Sequence, residues 1–401
     1  MPPIPRYRPQ TGPAIFSAGF RPFFLAAAAW SALAVPLWLA AYLTSIDVPT
    51  LLPPAAWHVH EMVYGFAAAT VAGFLLTAIP NWTGRMPLQG WPLAALVLLW
   101  AAGRVAVLFS SAIGAVVATL LDLAFPTAFL AVVAREIVAG RNWRNLPMLA
   151  ALSLLFVGNL FVHLEVLGVG EVADLGNRLG IATLLALISL VGGRIVPSFT
   201  RNWLAKNEPD VPAPAGESGF DRGALIVTAL VLLLWVFAPN AAITASALLV
   251  AGISVGVRLA RWRGWWTRQE PLLLILHLGY GWLALGLLLL GLNRFVEALP
   301  ATAALHALTA GAIGTMTLAV MTRATLGHTG RPLSAGLATR LIYTLVTLAA
   351  LLRVLSPFAG NSLDLILWLA GAAWTGAFGL FVLFYGGALT RPRASEGAKP
   401  I

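Results

Sequence analysis

Apolar runs of about twenty residues recur from one end of the chain to the other. Each run is long enough to cross the ~30 Å hydrocarbon core of a bilayer as a helix. Because that core holds no water, the backbone amides of each run must bond within their own segment, which requires helical structure. Only 10% of the 401 residues are charged, against roughly a quarter in a soluble domain. The sequence therefore predicts an all-α, polytopic membrane bundle.

About twelve membrane-crossing helices are predicted, of which the seventh is short and has the least definite ends. The predicted spans are 20–43, 57–80, 91–110, 113–134, 146–167, 176–199, 224–238, 241–259, 271–292, 301–322, 335–356 and 363–387. A stretch rich in Pro, Gly and acidic residues at 205–222 is the one candidate boundary within the chain. We expect a single integral membrane domain over 1–401, with possible six-helix halves at 14–204 and 223–390 joined by that linker.

Basic residues collect in alternate connections between the predicted spans. They are concentrated before the first span, after the last one, and at 135–145, 200–223 and 258–270; Arg85, and Arg323 with Arg331, lie in two further basic connections. The intervening connections are neutral or acidic, as at 165–177. Because positive loops face the cytoplasm, both termini and the 205–222 linker are expected there. This distribution also accounts for the net charge of +10. Soluble segments that could grip a nucleic acid are lacking, so no such partner is expected.

The chain contains no cysteine. This excludes disulfides, zinc–thiolate sites, iron–sulfur clusters and covalently attached haem. A metal ion would have to be bound by histidine, methionine, carboxylate or carbonyl groups. Methionine in apolar helices usually serves packing, so the histidines are the stronger candidates.

Five of the 6 histidines are candidate metal ligands, because ionisable groups at membrane depth are costly and usually functional. His58 and His60 begin the second predicted span at its outer end. His306 lies roughly 8 Å below the same surface, at 1.5 Å of helix per residue. His277 and His328 lie nearer the inner surface. Since imidazole suits copper and haem iron, the sequence predicts one outer and one inner centre.

The spacing of His58 and His60 limits how they can bind a metal. Residues two apart on a regular helix point about 200° from each other, so the two imidazoles cannot chelate one ion from such a helix. Either the span begins irregularly, or the two side chains serve different centres. The alternative is that one of them is an interfacial hydrogen-bonding residue, like the adjacent Trp57.

The other histidines also have structural alternatives. His306 and His277 could be satisfied histidines between helices, and His328 could order a loop at a helix end. His163, close to Glu165, is expected to be structural.

Carboxylates and guanidinium groups also fall within the predicted spans. A carboxylate in lipid must be paired, protonated or in a wet path, so Glu61 and Asp122 are candidates for catalytic proton delivery. The alternative for Asp122 is an internal ion pair with an arginine such as Arg104. Arg194 and Arg323 could bind haem propionates, because arginine meets carboxylates in a bidentate manner. Ordinary anchoring at the cytoplasmic surface is the alternative for these two.

Several sequence strings resemble the NnrS family over about residues 14–390. They are AGFRPFF at 18–24, WHVHEM at 57–62, NWTG at 81–84 and MTRATLGHTGRPL at 321–333. The resemblance implies a twelve-helix protein of the bacterial cytoplasmic membrane that contains haem b and copper. It also implies a role in denitrification and in relief of nitric oxide stress.

The leading hypothesis from the sequence is nitric oxide detoxification, with two NO, two electrons and two protons giving nitrous oxide and water. His58, His60 and His306 would hold the outer centre, and His277 and His328 an inner haem or an electron-entry site. Expected partners are nitric oxide, membrane lipid, and quinol or another electron donor. The rivals are a non-catalytic protein that binds or senses NO at haem, and a secondary transporter.

Overall fold

The fold, given by a computed structural model that describes residues 12–394, is entirely helical within that range. Among the described residues, twelve helices, counted with the 3-10 turns that adjoin them, are long and apolar enough to cross a membrane. They are α1 (Phe20–Leu43), α2 (Pro54–Thr83), α3 (Trp91–Leu108), α4 (Ala115–Ala139), α5 (Trp143–Val166), α6 (Ala173–Asn207), α7 (Gly219–Phe237), α8 (Ala242–Arg261), α9 (Pro271–Leu292), α10 (Ala301–His328), α11 (Leu337–Phe358) and α12 (Gly360–Thr390). Each one overlaps a predicted span. The prediction of an all-α membrane bundle is confirmed, whereas the membrane side of each terminus stays a prediction.

Local sequence signals fix several helix ends. Ser218 caps α7, where its hydroxyl accepts from the backbone of Asp221 and that carboxylate accepts from the backbone of Ser218. Helix α9 begins at Pro271, which needs no amide partner in the first turn. Helix α2 ends at Gly84, which has a φ of 70° and therefore occupies the left-handed region that closes many helices.

Three of the helices contain a wider, π-helical segment. These helices are α2, α6 and α10, with 30, 35 and 28 residues. Their wide segments are Glu61–Ala67, Ile188–Gly192 and Ala307–Gly314. Such segments are rare and frequently lie at functional sites. Two of them begin directly after a histidine, His60 or His306.

The chain divides into two compact units. Among the described residues, the first contains 12–180, 328–330 and 381–394, and the second contains 181–327 and 331–380. The linker predicted at 205–222 lies within the second unit. The six-helix halves predicted from the sequence are a different partition, and they stay a prediction.

In the first unit, helices α5 and α6 approach each other through glycines. A Cβ atom built on Gly158 would lie 2.9 Å from the Gly176 carbonyl oxygen and would clash with the Tyr64 hydroxyl. That hydroxyl donates a 2.7 Å hydrogen bond to the Gly176 carbonyl. Small residues let membrane helices come this close. Helix α2, which carries Tyr64 and His60, is therefore held against α6 beside the polar cluster described next.

Candidate metal centre

A buried polar cluster in the first unit brings together His60 from α2, Asp122 from α4 and His163 from α5. Their side chains could each offer one ligand atom to a metal ion, and these atoms all lie within 4.8 Å of one another. The exposed fractions of the three residues are 0%, 1% and 3%. A metal ion bound by these side chains would therefore be shielded from solvent.

One oxygen of Asp122 is the meeting point of the cluster. Its Oδ2 atom lies 2.9 Å from Nε2 of His163 and 3.3 Å from Nε2 of His60. The amide of Asn159 donates to the same oxygen at 2.8 Å. Asn159 and His163 are four residues apart on α5 and so share one helix face. Two imidazole nitrogens and one carboxylate oxygen therefore converge on one point.

The second nitrogen of each imidazole is fixed by another side chain. Nδ1 of His60 lies 2.9 Å from Oε1 of Glu61. Nδ1 of His163 lies 3.2 Å from the hydroxyl of Thr119. Histidines that bind metals commonly have such a partner on the far nitrogen, which sets the tautomer and orients the ring. Both rings therefore have the outer contacts that metal-binding histidines show.

Arg104 on α3 joins the two carboxylates of the cluster. It donates to Oε2 of Glu61 at 2.7 Å and also to Oδ1 of Asp122. Trp30 donates to Oε2 of Glu61 at 2.7 Å. The internal Asp–Arg pair considered from the sequence is thus confirmed. A role of Glu61 and Asp122 in proton delivery stays a prediction.

The cluster has two carboxylates and one guanidinium, so one more positive charge would neutralise it. The two carboxylates outweigh the single guanidinium of Arg104, and an uncompensated buried charge is strongly destabilising. One solution is a proton on both nitrogens of His60, since Nε2 also lies 2.9 Å from the Asn159 carbonyl oxygen. A metal ion bound at Nε2 of His60 would supply the same compensation. The set of two imidazoles and a carboxylate suits a borderline transition metal such as copper, so the residues fit a metal ion.

His58 points away from this cluster. Its ring stacks on Trp38, with ring centres 4.0 Å apart and planes at 24°. Both His58 and His60 lie on the regular first turns of α2, because the wide segment starts only at Glu61. The two side chains therefore diverge, as their spacing predicts. A metal role for His58 stays a prediction.

The remaining predicted ligands lie outside the cluster. Nδ1 of His306, in the second unit, lies 2.7 Å from the Thr302 carbonyl of its own helix, whereas the structural alternative was a contact between helices. His328 ends α10 and is exposed. It belongs to the first unit, where its ring lies 5.4 Å from that of Phe20. Their ligand roles stay predictions.

His277 is buried and closely packed in the second unit. Its Nε2 atom lies 2.9 Å from the Thr200 hydroxyl, and its Nδ1 atom has no hydrogen-bond partner among the described residues. A Cβ atom on Gly264 would clash with the imidazole, and the ring of Trp262 is centred 6.4 Å away. A haem on this histidine would require these neighbours to move. The site as it is packed does not fit a haem, and a ligand role for His277 stays a prediction.

The two arginines predicted to bind propionates also lie in the second unit. Arg323 lies over the ring of Phe199, 4.2 Å from its centre. Arg194 is exposed and lines a cavity described below. Their propionate roles stay predictions.

His163 was expected to be structural, but it lies in the buried group that could hold a metal ion. Its proximity to Glu165 suggested a structural residue, but Glu165 points elsewhere and accepts from the backbone amide of Ala173 at 2.7 Å. The useful signal was the spacing of Asn159 and His163, which places two polar groups on one face of an apolar helix. Which helix that face meets is a tertiary property, and the spacing alone could not provide it.

Comparison with known protein families gives a match over nearly the whole chain. The family model described as NnrS protein matches residues 14–393. No curated protein matches the chain.

Proposed function

We propose, from the premise that this chain belongs to the NnrS family, that it is a membrane metalloprotein that removes nitric oxide. The reaction would reduce two NO with two electrons and two protons to nitrous oxide and water. The observation that supports this proposal most directly is the buried group of His60, Asp122 and His163. These three residues would hold a copper ion.

Copper held by these residues would supply one-electron redox chemistry, which the reduction of NO needs. The ligand set differs from that predicted from the sequence. His60 is common to both sets, while Asp122 and His163 take the places of His58 and His306. In this proposal Asp122 contacts the metal, whereas the sequence suggested proton delivery or an internal ion pair with an arginine for this residue.

The surrounding side chains would hold and move protons. Glu61 accepts from Nδ1 of His60 when that nitrogen carries a proton, and from Arg104 and Trp30 through its other oxygen. Thr119 contacts Nδ1 of His163. A proton can therefore reside at either Nδ1 atom without a change in the backbone. Glu61 would act as a positioning residue for His60 and as the nearest acceptor for its proton.

Burial of the centre suits this substrate. Nitric oxide is small and uncharged, so it partitions into lipid and can reach a buried site without a polar channel. The low-dielectric surroundings also strengthen the contacts between the charged groups of the cluster. Haem b and the bacterial cytoplasmic membrane remain expectations from the family, and the electron donor would be quinol or another reductant.

The experiment is to purify the chain, load it with copper and measure metal content, haem absorption and nitrous oxide formed from NO with a chemical reductant. We expect stoichiometric copper, and nitrous oxide over many turnovers. His60→Ala and His163→Ala should lose both. A single stoichiometric nitrosyl adduct without turnover would favour the non-catalytic binding protein.

His306→Ala and His58→Ala distinguish the two ligand sets. The proposal expects both variants to keep their copper. If they lose it while His163→Ala keeps it, the set predicted from the sequence is the correct one. A protein that binds neither copper nor haem would favour the transporter.

A further inference from the structure

The second unit contains a cavity of about 210 Å³ beside the 205–222 segment and the ends of α6, α7 and α8. Its volume is more than ten times the roughly 10–15 Å³ that one water needs. Six charged residues line it, namely Arg194, Arg201, Glu217, Asp221, Arg222 and Arg258. None of them belongs to the metal centre, which lies in the first unit.

Two of these charges already neutralise each other. Asp221 lies 3.4 Å from Nε of Arg258 and 3.4 Å from a terminal nitrogen of Arg261. Arg258 is 5% exposed and is further fixed because it donates to the Ser189 carbonyl and the Tyr280 hydroxyl, at 3.1 and 3.0 Å. The wall around Asp221 and Arg258 is therefore rigid and nearly neutral.

The remaining charges are mostly positive and uncompensated. Arg194, Arg201 and Arg222 are exposed, and none of the three forms an ion pair with any residue in the described range 12–394. Among the lining residues that the structure describes, Glu217 is the one carboxylate left to oppose them. The cavity thus has an excess of two positive charges. Arginines without a carboxylate partner around a concave site are typical of sites for phosphate or carboxylate groups.

Apart from Ser198, the rest of the lining is mostly apolar. Leu190 and Pro197 of α6 and Leu225 of α7 contribute to the same wall. A site that combines guanidinium groups with aliphatic surface, at the end of membrane-crossing helices, suits an amphipathic anion. The orientation predicted from the charge distribution places this end on the cytoplasmic side, where the anionic lipids of the membrane supply phosphate groups.

We propose that this cavity binds a phosphate group, carried by the headgroup of an anionic phospholipid or by a soluble phosphate compound. Arg194, Arg201 and Arg222 would contact the phosphate oxygens, and Leu190 and Leu225 the adjoining carbon chain. The site is independent of the copper centre and of nitric oxide chemistry. It also gives Arg194 a different ligand from the haem propionate expected from the sequence.

The test compares the wild-type chain with the triple variant Arg194→Gln, Arg201→Gln and Arg222→Gln. The matched control removes three exposed arginines elsewhere, in Arg144→Gln, Arg268→Gln and Arg340→Gln. Each protein is reconstituted into nanodiscs of phosphatidylcholine with or without phosphatidylglycerol, and the retained lipid is identified by native mass spectrometry. In parallel, inorganic phosphate and pyrophosphate are titrated against the thermal unfolding of each protein in detergent.

Wild type and control should retain phosphatidylglycerol at least about tenfold more than the triple variant, since each arginine contributes to the attraction. Retention without any effect of the soluble phosphates assigns the site to lipid. Stabilisation by soluble phosphate that the triple variant lacks, with no lipid retained, assigns it to a soluble ligand. Equal binding by wild type and triple variant, or equal loss in the control, overturns the proposal.

Copper and haem contents complete the test. Copper should be the same in all three proteins, which shows that the triple variant is folded and separates this proposal from the one above. If the triple variant does not fold, the single variant Arg201→Gln takes its place, with Arg268→Gln as control. A loss of haem with unchanged lipid and phosphate binding would support the propionate role and overturn the phosphate site.

Discussion

Nε2 of His163 lies 2.9 Å from Oδ2 of Asp122, although the two residues are 41 positions apart and belong to different helices. The other oxygen of that carboxylate pairs with Arg104, and His60 approaches the first oxygen at 3.3 Å. The Asp122 carboxylate on α4 thus contacts side chains from three other helices, namely two imidazoles and a guanidinium. The role of each of these side chains can be tested by substitution.

Substitution of Asp122 by Asn tests the carboxylate as a metal ligand. Asp122→Asn preserves the size of the side chain but removes its charge, so we expect copper affinity to fall at least about tenfold. Competition with a Cu(I) chelator measures it. Asp364→Asn, an exposed acidic residue in the first turn of α12, is the control and should bind like wild type. Equal affinity in Asp122→Asn would exclude this oxygen as a ligand.

Removal of the buried guanidinium should be costly. Arg104→Met leaves Glu61 and Asp122 facing each other without their cation, and breaking a buried pair costs about 3–5 kcal/mol. Equilibrium unfolding in mixed detergent measures the free energy. Arg85→Met, which breaks the more exposed pair with Glu136, should cost about 1 kcal/mol or less.

A second substitution distinguishes charge from packing in this result. Adding Glu61→Gln to Arg104→Met removes the charge of one of the two carboxylates that have lost their ion-pair partner. The double variant should therefore regain part of the lost stability. A double variant that is less stable than Arg104→Met would show that packing of the side chain dominates.

The glycine contact between α5 and α6 should not tolerate a methyl group. Gly158→Ala would place a Cβ atom 2.9 Å from the Gly176 carbonyl and against the Tyr64 hydroxyl, so we expect a loss of about 1–3 kcal/mol through overpacking. Gly387→Ala in α12 meets no atom within 4 Å. This control should be neutral, or gain up to about 1 kcal/mol from helix propensity. Equal stabilities of the two variants would indicate that the helices can separate without cost.

The His58 ring should contribute to stability through its stacking on Trp38 and should not contribute to copper binding. His58→Phe keeps an aromatic partner for Trp38, and copper content and stability should both resemble the wild type. His58→Ala should lose about 0.5–1.5 kcal/mol, the typical contribution of an aromatic pair, and still bind copper. Loss of copper in His58→Phe with full stability would show that this imidazole is a ligand.

The membrane-crossing helices could be predicted from the sequence because only the length of each apolar run decides whether it can cross the bilayer. Hydrocarbon thickness fixes the length of each apolar run, and every run indicated by the sequence is a helix in the structure. The divergence of His58 and His60 was predictable for a similar reason, since it depends only on helix pitch.

The composition of the cluster was not predictable in the same way. Depth along the membrane places His60 and His306 at similar levels, but it carries no information about which helices are neighbours. Asp122, Asn159 and His163 meet because α4 and α5 pack side by side, and the sequence separation of these residues does not encode that contact. The ion pair of Asp122 with Arg104 could be foreseen as an alternative, because a buried carboxylate requires a partner.

The π-helical segment after His60 also limits which deletions the chain can tolerate. A turn of this kind holds surplus backbone, so the residues before and after it are out of phase with a regular helix. Deleting one residue between Glu61 and Ala67 could restore regular pitch, but each residue of an α-helix accounts for about 100° of rotation. Either His60 would turn away from Asp122, or Gly73 would turn away from Phe23 and Phe24 of α1, whose side chains leave no room for a Cβ atom at this glycine. The number of residues in this short segment is therefore as constrained as their identity.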